Sequence, residues 1–383
     1  MMKAVAVVEP GEVETVEIPR PSIEKHECLV KIVSSGLCNS TDLKIIDGEL
    51  SDMTVPFPVI LGHEGVGEVV EVGSRVLNWQ IGERMLNPIG RTAPGTPYQR
   101  MWANMVEYAV VQDRAVMREL GMDAPGIAHY ERKLPGGLDG VDCGVLLTLM
   151  EILSGVRNFG IAEEANVLVY GDGPVGLGLC QFSKHEGAEW VACVGHHDDR
   201  LRRVGDLGHA DMLINSREVE VAEAVGDRRF DLVIDAVGSV DIIIEGAKFL
   251  EPGGKVGAYG VMKKKYADVN LLDLPNHAVV HLLNFPHGQF EVQDEVARMI
   301  LDGQVNPKDY YSHVMPYEQA AEAVEMIRKR EAFKIVFGGK TSDASEYGEY
   351  GGQGFTSDCA EKPRNSPDGL DYERRNALDT SRL

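Results

Sequence analysis

The chain has 383 residues, enough for two domains with sizeable cores, and 44% of them are hydrophobic, as in ordinary globular proteins. Its 60 acidic residues outnumber 38 basic ones, which gives a formal charge of −22. Such a surface repels nucleic acid and anionic membranes, because both are bound mainly by lysine and arginine. We therefore expect neither a nucleic-acid partner nor a membrane partner, and the apolar runs fall short of the roughly 18 residues of a membrane helix.

The N-terminal sequence and the cysteines indicate the compartment. Residues 1–19 lack the apolar core and the small-residue cleavage site of a secretory signal, so we expect a cytoplasmic protein. None of the six cysteines forms a C-x-x-C pair, which argues against a disulfide framework and against a four-cysteine zinc knuckle.

The first part of the chain contains short strand-like segments and few helical ones. Apolar and β-branched residues between polar loops predict strands at 3–8, 27–34, 68–72 and 105–111. Residues 112–140 are irregular and rich in glycine, proline and charge, which indicates a loop insertion. We therefore predict a small all-β unit, shaped as a partly open barrel.

A turn punctuated by glycines carries a histidine beside a carboxylate. The sequence ILGHEGVGEVVEV, residues 60–72, places His63 and Glu64 between glycines that allow unusual backbone angles. Imidazole and carboxylate both bind zinc. The turn is therefore either half of a metal site or a surface His–Glu pair on a loop.

In residues 141–160 the apolar positions have helical spacing, and the segment contains no proline, so it is predicted to be a helix. Glu151 lies inside this apolar stretch, where periodicity alone favours the polar face of the helix. From residue 166 onward strands and helices alternate, and the strands are predicted at 166–170, 190–195, 210–215, 230–238 and 254–261. This alternation predicts parallel βαβ units with helices on both faces of one sheet.

The chain then continues with helical segments and a biased tail. Amphipathic helices are predicted at 289–303 and 316–330, followed by a closing strand at 333–337. Residues 339–383 are rich in Gly, Ser, Asp and Glu, and they contain too little apolar surface to order themselves. We predict a disordered tail there, with a partner-docking segment as the alternative.

The glycine pattern G-x-G-x-x-G indicates a dinucleotide site because it follows a predicted strand and opens a predicted helix. In this motif the first glycine makes the turn, the second admits the pyrophosphate, and the third lets helix and strand pack closely. The helix N-terminus then presents free N–H groups to the phosphates. The alternative is a glycine-rich loop without a ligand. The motif consists of Gly171, Asp172, Gly173, Pro174, Val175 and Gly176.

The end of the next strand favours NADP over NAD. An NAD site needs an acidic residue about 20 positions after the glycines, and Gly195 stands there instead. Gly195 leaves room for a 2′-phosphate, which basic side chains nearby could bind. Asp198 and Asp199 complicate the prediction, because they would either repel that phosphate or bind a ribose hydroxyl. The basic candidates are His196, His197, Arg200 and Arg203.

Together these segments resemble the zinc-containing medium-chain dehydrogenase/reductase family, which includes alcohol, polyol and threonine dehydrogenases. The resemblance covers about residues 3–338 and is carried by GLCNSTDL, GHEGVGEVVEVG with GERM, the GDGPVG turn, and DLVIDAVGS with LEPGGKVGAYG. It implies an α/β fold in which a GroES-like catalytic domain, residues 1–152, is completed by about 290–338. A doubly wound Rossmann domain, residues 153–289, is inserted between them.

The resemblance also implies a catalytic zinc site. Cys38 and His63 match zinc ligands of the family. Glu64, which follows the histidine, is either a ligand or a carboxylate close to the ligands, and Glu151 matches the position at which relatives carry a third ligand, Cys, Glu or Asp. A thiolate with two carboxylates would leave the site at about −1 and oppose the Lewis acidity that catalysis uses. We therefore expect Cys38, His63 and one glutamate to bind the ion, with the other glutamate held through water.

Two departures from the family pattern bear on the chemistry. Relatives usually read C-x-[ST]-D, whereas this chain has one residue more, so the hydroxyl that relays the substrate proton is Thr41, which we favour, or Ser40. Lys44 stands where many relatives have a relay histidine, and solvent is the alternative acceptor. Residues 85–110 contain no cysteine, so we expect one catalytic zinc per chain and no structural zinc.

The implied activity is hydride transfer between NAD(P) and a secondary alcohol, polyol or sugar. A zinc-free quinone or enoyl reductase of the same superfamily is one alternative, and a non-catalytic dinucleotide-binding protein is another. Substrate specificity is expected to depend on loops 45–57 and 91–104. The family resemblance further implies a homo-oligomer, either a dimer or a tetramer.

Overall fold

The structure is a computed structural model and describes residues 1–50, 55–88, 95–122, 132–262, 268–283 and 285–338. The predicted tail at 339–383 lies outside the described residues, as do parts of the predicted loops 45–57, 91–104 and 112–140. Within the described residues, no helix is both long enough and apolar enough to cross a membrane.

The first part of the chain forms short strands, as predicted. They are β1 (Met2–Glu9), β2 (Glu12–Ile18), β3 (Glu27–Leu37), β4 (Val59–Ile60), β5 (Glu64–Val72), β6 (Arg84–Leu86), β7 (Gln99–Arg100), β8 (Tyr108–Gln112) and β9 (Arg132–Lys133). Helix α1 (Thr41–Asp47) follows β3. Helix α2 (Arg114–Glu119) lies in the stretch predicted to be irregular, and it forms because the Asp113 carboxylate caps its first N–H groups.

Early and late segments of the chain both contribute to the larger sheet of this part. Its order is β16-β17-β3-β5-β6-β9, with β8 also paired to β3, where β16 is His313–Met315 and β17 is Ile335–Gly338. Strand β17 runs antiparallel to β3, with Ile335 opposite Leu37. A second, smaller sheet has the order β2-β1-β4-β7. The late strands therefore complete the sheet that the early strands begin.

The middle of the chain forms one parallel sheet with helices on both faces. Its order is β12-β11-β10-β13-β14-β15, the doubly wound order of nucleotide-binding folds. One apolar core contains residues of the helices Leu146–Phe159, Pro174–His185 and Asp198–Gly208, and the core on the opposite face contains residues of the helices Val221–Val225 and Val240–Ala247. The strands are β10 (Asn166–Tyr170), β11 (Trp190–Gly195), β12 (Met212–Asn215), β13 (Phe230–Asp235), β14 (Leu250–Ala258) and β15 (Val279–Leu282).

The helices around this sheet confirm the predicted alternation, with shorter bounds at several ends. They are α3 (Leu146–Phe159), α4 (Pro174–His185), α5 (Asp198–Gly208), α6 (Val221–Val225), α7 (Val240–Ala247) and α8 (Gln293–Leu301). Helix α9 (Ala320–Arg328) instead packs in the core of the first part of the chain, with residues of β1 and β17. Short 3₁₀ turns precede α3 at Asp142–Val145 and α9 at Tyr317–Gln319. Two further 3₁₀ turns are Leu271–Asp273 and Pro307–Asp309.

Candidate metal and nucleotide sites

Two segments that carry metal-ligand residues meet at one end of the β3–β5 pair. Gly36 lies opposite Glu64, so Cys38, just after β3, comes close to His63, just before β5. Gly62 has φ +103°, a backbone angle that glycine tolerates best. One ligand atom from each of Cys38, His63 and Glu64 lies within 4.8 Å of the others. Thiolate, imidazole and carboxylate are a donor set that suits Zn²⁺.

Asp42 orients the imidazole of His63. Its Oδ1 lies 3.1 Å from His63 Nδ1, while its Oδ2 accepts a hydrogen bond of 2.9 Å from the Cys38 N–H. Burial alone would lower the pKa of His63, but Asp42 and then Cys38 raise it well above its usual value. Because Asp42 holds Nδ1, Nε2 is the ring nitrogen turned towards Glu64, at 3.7 Å from Oε1. The ring of Trp102 lies 5.5 Å from the His63 ring, centroid to centroid.

Glu64 is a buried carboxylate whose charge is compensated. Its Oε2 lies 2.7 Å from Lys334 Nζ and accepts a hydrogen bond of 3.0 Å from Thr148 Oγ1. Burial would raise the pKa of Glu64, yet Lys334 and then His63 hold it below its usual value. Lys334 also donates to the carbonyl of Leu37, at 3.3 Å. One oxygen of Glu64 is therefore fixed, and the other faces His63.

Glu151 lies on α3 near the same cluster, but among the described residues its carboxylate has no positively charged partner comparable to the Lys334 that pairs with Glu64. Burial, and then the negative charge of Glu64, raise the pKa of Glu151 to about 7. Within the described residues, no side chain donates a hydrogen bond to its carboxylate, and it lies outside the compact set of Cys38, His63 and Glu64. Both candidate glutamates are thus near the site, and Glu64 is the one packed among the other donors.

The two candidate relay hydroxyl residues, Ser40 and Thr41, have different hydrogen-bond partners. Lys44 Nζ donates to Ser40 Oγ at 2.6 Å, one helical turn apart at the start of α1. Thr41 contributes its backbone N–H, which lies 3.3 Å from Cys38 Sγ. The structure therefore pairs Ser40, and not Thr41, with Lys44.

The carboxyl edge of the parallel sheet faces the metal-ligand cluster. Tyr259 follows β14, and its ring packs on α3 at Gly155, where an added Cβ would lie 2.8 Å from Tyr259 Cε2. Burial, and then the charges of Glu151 and Cys38, raise the pKa of Tyr259. A ligand at this edge would thus lie between the sheet and the cluster, where open α/β sheets bind their ligands.

The glycine turn between β10 and α4 has the geometry that the motif predicts. Gly171 has φ +129°, and an added Cβ at Gly176 would lie 1.7 Å from the Gly171 carbonyl oxygen. Among the described residues, and leaving out its two chain neighbours, no atom lies within 4 Å of the place where a Cβ of Gly173 would stand. Pro174 and Val175 form the first turn of α4, whose free N–H groups face the turn. A pyrophosphate can therefore approach the backbone at Gly173.

Asp172, inside the glycine motif, fills the space beside Gly195. An added Cβ at Gly195 would lie 2.6 Å from Asp172 Cβ. Asp172 Oδ2 accepts hydrogen bonds from the N–H groups of His196, at 2.8 Å, and His197, at 3.0 Å, and lies 2.8 Å from His197 Nδ1. Burial would raise the pKa of Asp172, but these donors hold it below its usual value.

Basic residues around Gly195 reach residues 330–332, a late segment of the chain. Arg330 Nη1 lies 3.0 Å from His197 Nε2, and Arg200 donates to the carbonyls of Arg330 and Ala332. Arg203 instead donates to the carbonyls of Lys308 and Asp309, and Asp198 accepts from Asn215. Arg200 and Arg203 therefore tie α5 to late segments of the chain.

Sequence reasoning missed several residues of these sites. Asp42 had a local signal, since it follows Cys38 in the same polar run, and Asp172 lies inside the recognised glycine motif. Thr148, Arg330 and Lys334 had none, because they reach their partners from distant segments.

Comparison with known proteins is consistent with this architecture. The family model for the alcohol dehydrogenase GroES-like domain matches residues 24–120, and the model for zinc-binding dehydrogenases matches residues 174–296. The chain is 25% identical over 362 residues to a 5-exo-hydroxycamphor dehydrogenase of Pseudomonas putida, covering 87% of this chain and 98% of that one. It is 26% identical over 341 residues to sorbitol dehydrogenase 1 of Saccharomyces cerevisiae, covering 84% and 93%.

Solved structures share the fold. A zinc-binding dehydrogenase from Sinorhizobium meliloti 1021, bound to NADP, aligns with a TM-score of 0.73 at 22% identity, over 88% of this chain and 99% of that one. The alcohol dehydrogenase TADH from Thermus sp. ATN1 aligns with a TM-score of 0.71 at 23% identity, over 88% and 100%.

Proposed function

The chain belongs to the zinc-containing medium-chain dehydrogenase family of alcohol and polyol dehydrogenases, and we propose that it transfers a hydride between NAD(P) and a secondary alcohol, polyol or sugar. The observation that carries this proposal is the donor set of Cys38, His63 and Glu64, within 4.8 Å of one another. A zinc-free quinone or enoyl reductase does not need these donors, and neither does a non-catalytic dinucleotide-binding protein.

We assign one zinc ion per chain to Cys38, His63 and Glu64, with Glu151 held through water. Glu64 is favoured because Lys334 and Thr148 fix its Oε2, so that little ordering is left for ion binding. When bound, the zinc supplies Lewis acidity that lowers the pKa of the substrate alcohol. No structural zinc is proposed, since residues 85–110 contain no cysteine.

Ser40 is proposed as the hydroxyl that exchanges a proton with the substrate oxygen. Lys44 donates to Ser40 Oγ at 2.6 Å, so the Ser40 hydrogen is free to point away from the lysine. During carbonyl reduction Ser40 gives its proton to the substrate oxygen and receives one from Lys44, and alcohol oxidation reverses this path. The Ser40→Ala variant should lose about 10²-fold in kcat or more, whereas Thr41→Ala should remain close to wild type.

NADP is proposed as the preferred cofactor. Gly195 offers no side chain at the position of the usual ribose-binding carboxylate, and His196, His197 and Arg330 surround that position. The Asp172 charge is engaged by donors of both histidines, which weakens its repulsion of a 2′-phosphate. Steady-state kcat/KM with each cofactor tests this assignment, and a preference for NAD of about tenfold or more would overturn it.

A homo-oligomer is proposed, with β15 in the interface. This strand is the edge of the parallel sheet, and the apolar side chains of Val279 and Leu282 on it are 50% and 58% exposed. An apolar sheet edge is a template for pairing with another chain. Light scattering should show a dimer or tetramer that Val279→Lys weakens. The proposed location is the cytoplasm, where thiols such as Cys143 stay reduced.

The decisive experiment combines metal analysis with a substrate panel. The purified protein is expected to hold about one zinc per chain and to reduce NADP or NAD with secondary alcohols, polyols or sugars, followed by nicotinamide absorbance. Activity on quinones or enoyl thioesters without zinc would favour the zinc-free reductase. Nucleotide binding without turnover of any substrate class would favour the non-catalytic alternative.

A further inference from the structure

Behind the turn that carries His63 and Glu64 lies a chain of buried polar side chains. Ser35 Oγ donates to Asn104 Oδ1 at 3.0 Å, and Asn104 Nδ2 donates to Asn87 Oδ1 at 2.8 Å. Ser35 and Asn104 are fully buried, and Asn87 is nearly so. A buried polar network whose bonds are made fixes its members, because leaving any one unpaired is costly.

Asn104 also fills the space against the turn. An added Cβ would lie 2.6 Å from Asn104 Oδ1 if built at Gly62, and 2.6 Å from Asn104 Cγ if built at Gly65. Backbone bonds hold the same contact, since the Asn104 N–H donates to Gly62 O at 3.2 Å and the Asn87 N–H to Gly65 O at 2.6 Å. The turn therefore cannot shift without displacing the Asn104 amide.

The same amide reaches the strand that leads to Cys38. Ser35 lies on β3, opposite Gly65 of β5, and three residues before Cys38. Through Ser35 and the glycine contacts, Asn104 connects the two segments that carry the proposed zinc ligands. Asn104 belongs to neither segment, and its side chain bonds to Ser35 and Asn87, not to Cys38 or His63.

We propose that Asn104 is a positioning residue that sets the separation of Cys38 and His63, and with it the retention of the zinc ion. This inference rests on the proposed zinc site. Groups that orient metal ligands through hydrogen bonds contribute about 10- to 100-fold to metal affinity. Asn104 contacts both ligand segments. Its loss should therefore accelerate zinc release more than the loss of a buried amide elsewhere in the fold does.

The test compares zinc release into excess chromophoric chelator for the purified wild-type protein and its variants. Asn104→Leu keeps the side-chain shape but removes both hydrogen bonds, and Asn104→Ala removes the side chain. Ser35→Ala removes one bond and remains available if the Asn104 variants do not fold. Gln293→Ala is the matched control, because Gln293 is also a buried amide and donates to the Lys133 carbonyl at 2.7 Å.

We expect Asn104→Leu and Asn104→Ala to release zinc about 10- to 100-fold faster, Ser35→Ala to show a smaller change, and Gln293→Ala to match wild type. Wild-type release rates in all folded Asn104 and Ser35 variants would overturn the inference. An equal acceleration in Gln293→Ala would also overturn it, since the effect would then be general loosening. If wild type takes up no zinc, the proposed function itself fails, a result distinct from the other two.

Discussion

The nucleotide turn and the metal-ligand cluster are built in different ways. The turn uses the contiguous residues 171–176. Its backbone requires glycine at Gly171, where φ is +129°, and at Gly176, where an added Cβ would lie 1.7 Å from the Gly171 carbonyl oxygen. The cluster brings Cys38 together with His63 and Glu64 from two separate segments, and its neighbours Glu151 and Lys334 come from two more.

The difference lies in the forces that hold each site. A turn made by glycines depends on local sterics, which a six-residue pattern can encode. The cluster gathers buried charges, and each of them is costly unless a partner arrives from elsewhere in the fold. A substitution in the turn should therefore change only the backbone and cofactor binding near it. A substitution in the cluster should also change the stability that its charged partners contribute.

The largest expected effect is the loss of a metal ligand. Cys38→Ala removes the thiolate from the proposed zinc site, and because Lewis acidity supplies several kcal/mol, turnover should fall by about 10³-fold or more. Bound zinc, measured by metal analysis, should fall with it. Cys28→Ala is the control, since Cys28 is a buried cysteine in β3 away from the ligand set. Full activity in zinc-free Cys38→Ala would contradict the assignment.

A large loss of stability is expected for Lys334→Met in the zinc-free protein. The substitution leaves the Glu64 carboxylate buried opposite an apolar group, so the free energy of unfolding in urea should fall by about 3–5 kcal/mol. The double variant Lys334→Met/Glu64→Gln should recover most of that loss, since no uncompensated charge remains. If the double variant is no more stable than Lys334→Met alone, the lost stability does not come from the pairing of Lys334 with Glu64.

A smaller, local effect is expected in the glycine turn. The methyl group of Gly173→Ala meets no atom of the described residues within 4 Å besides its chain neighbours, so the fold should accept it. It would, however, stand where the pyrophosphate approaches. The KM for the nicotinamide cofactor should rise about tenfold or more, which corresponds to a loss of ~1.4 kcal/mol in cofactor binding. The thermal stability of the protein should stay unchanged. Gly176→Ala should instead lower the melting temperature. An unchanged KM in Gly173→Ala would place the pyrophosphate elsewhere.

The last effect, similar in size to that of Gly173→Ala, concerns Asp172 and depends on pH. Its pKa is lower in the folded protein than in the unfolded chain, so its stabilising contribution is complete above the unfolded pKa and is lost as pH falls through the folded pKa. Asp172→Asn should therefore cost about 1–2 kcal/mol in unfolding free energy from pH 5 to 8, and the difference from wild type should shrink below about pH 4. Asp198→Asn, at a carboxylate that accepts from Asn215, is the control. A difference that grows towards low pH would contradict the assignment.

Much of the fold was predictable because it follows from periodicity. The alternation after residue 166 predicted the parallel sheet, and the strand-rich first part was recognised from short β-branched runs. Helix α2 was missed because its start depends on one capping carboxylate, Asp113, inside a polar stretch. Specific pairing, such as β17 with β3, joins residues about 300 positions apart and leaves no local pattern.

The sequence by itself determined the family, the glycine turn and the donor types at Cys38, His63 and Glu64, because these depend on chemistry and backbone geometry within short segments. Only the tertiary structure decided which oxygen of Glu64 is held by Lys334, that Ser40 is the hydroxyl paired with Lys44, and that Asp172 fills the space beside Gly195. Those outcomes depend on distances between segments and on the compensation of buried charge, which exist only once the chain has folded.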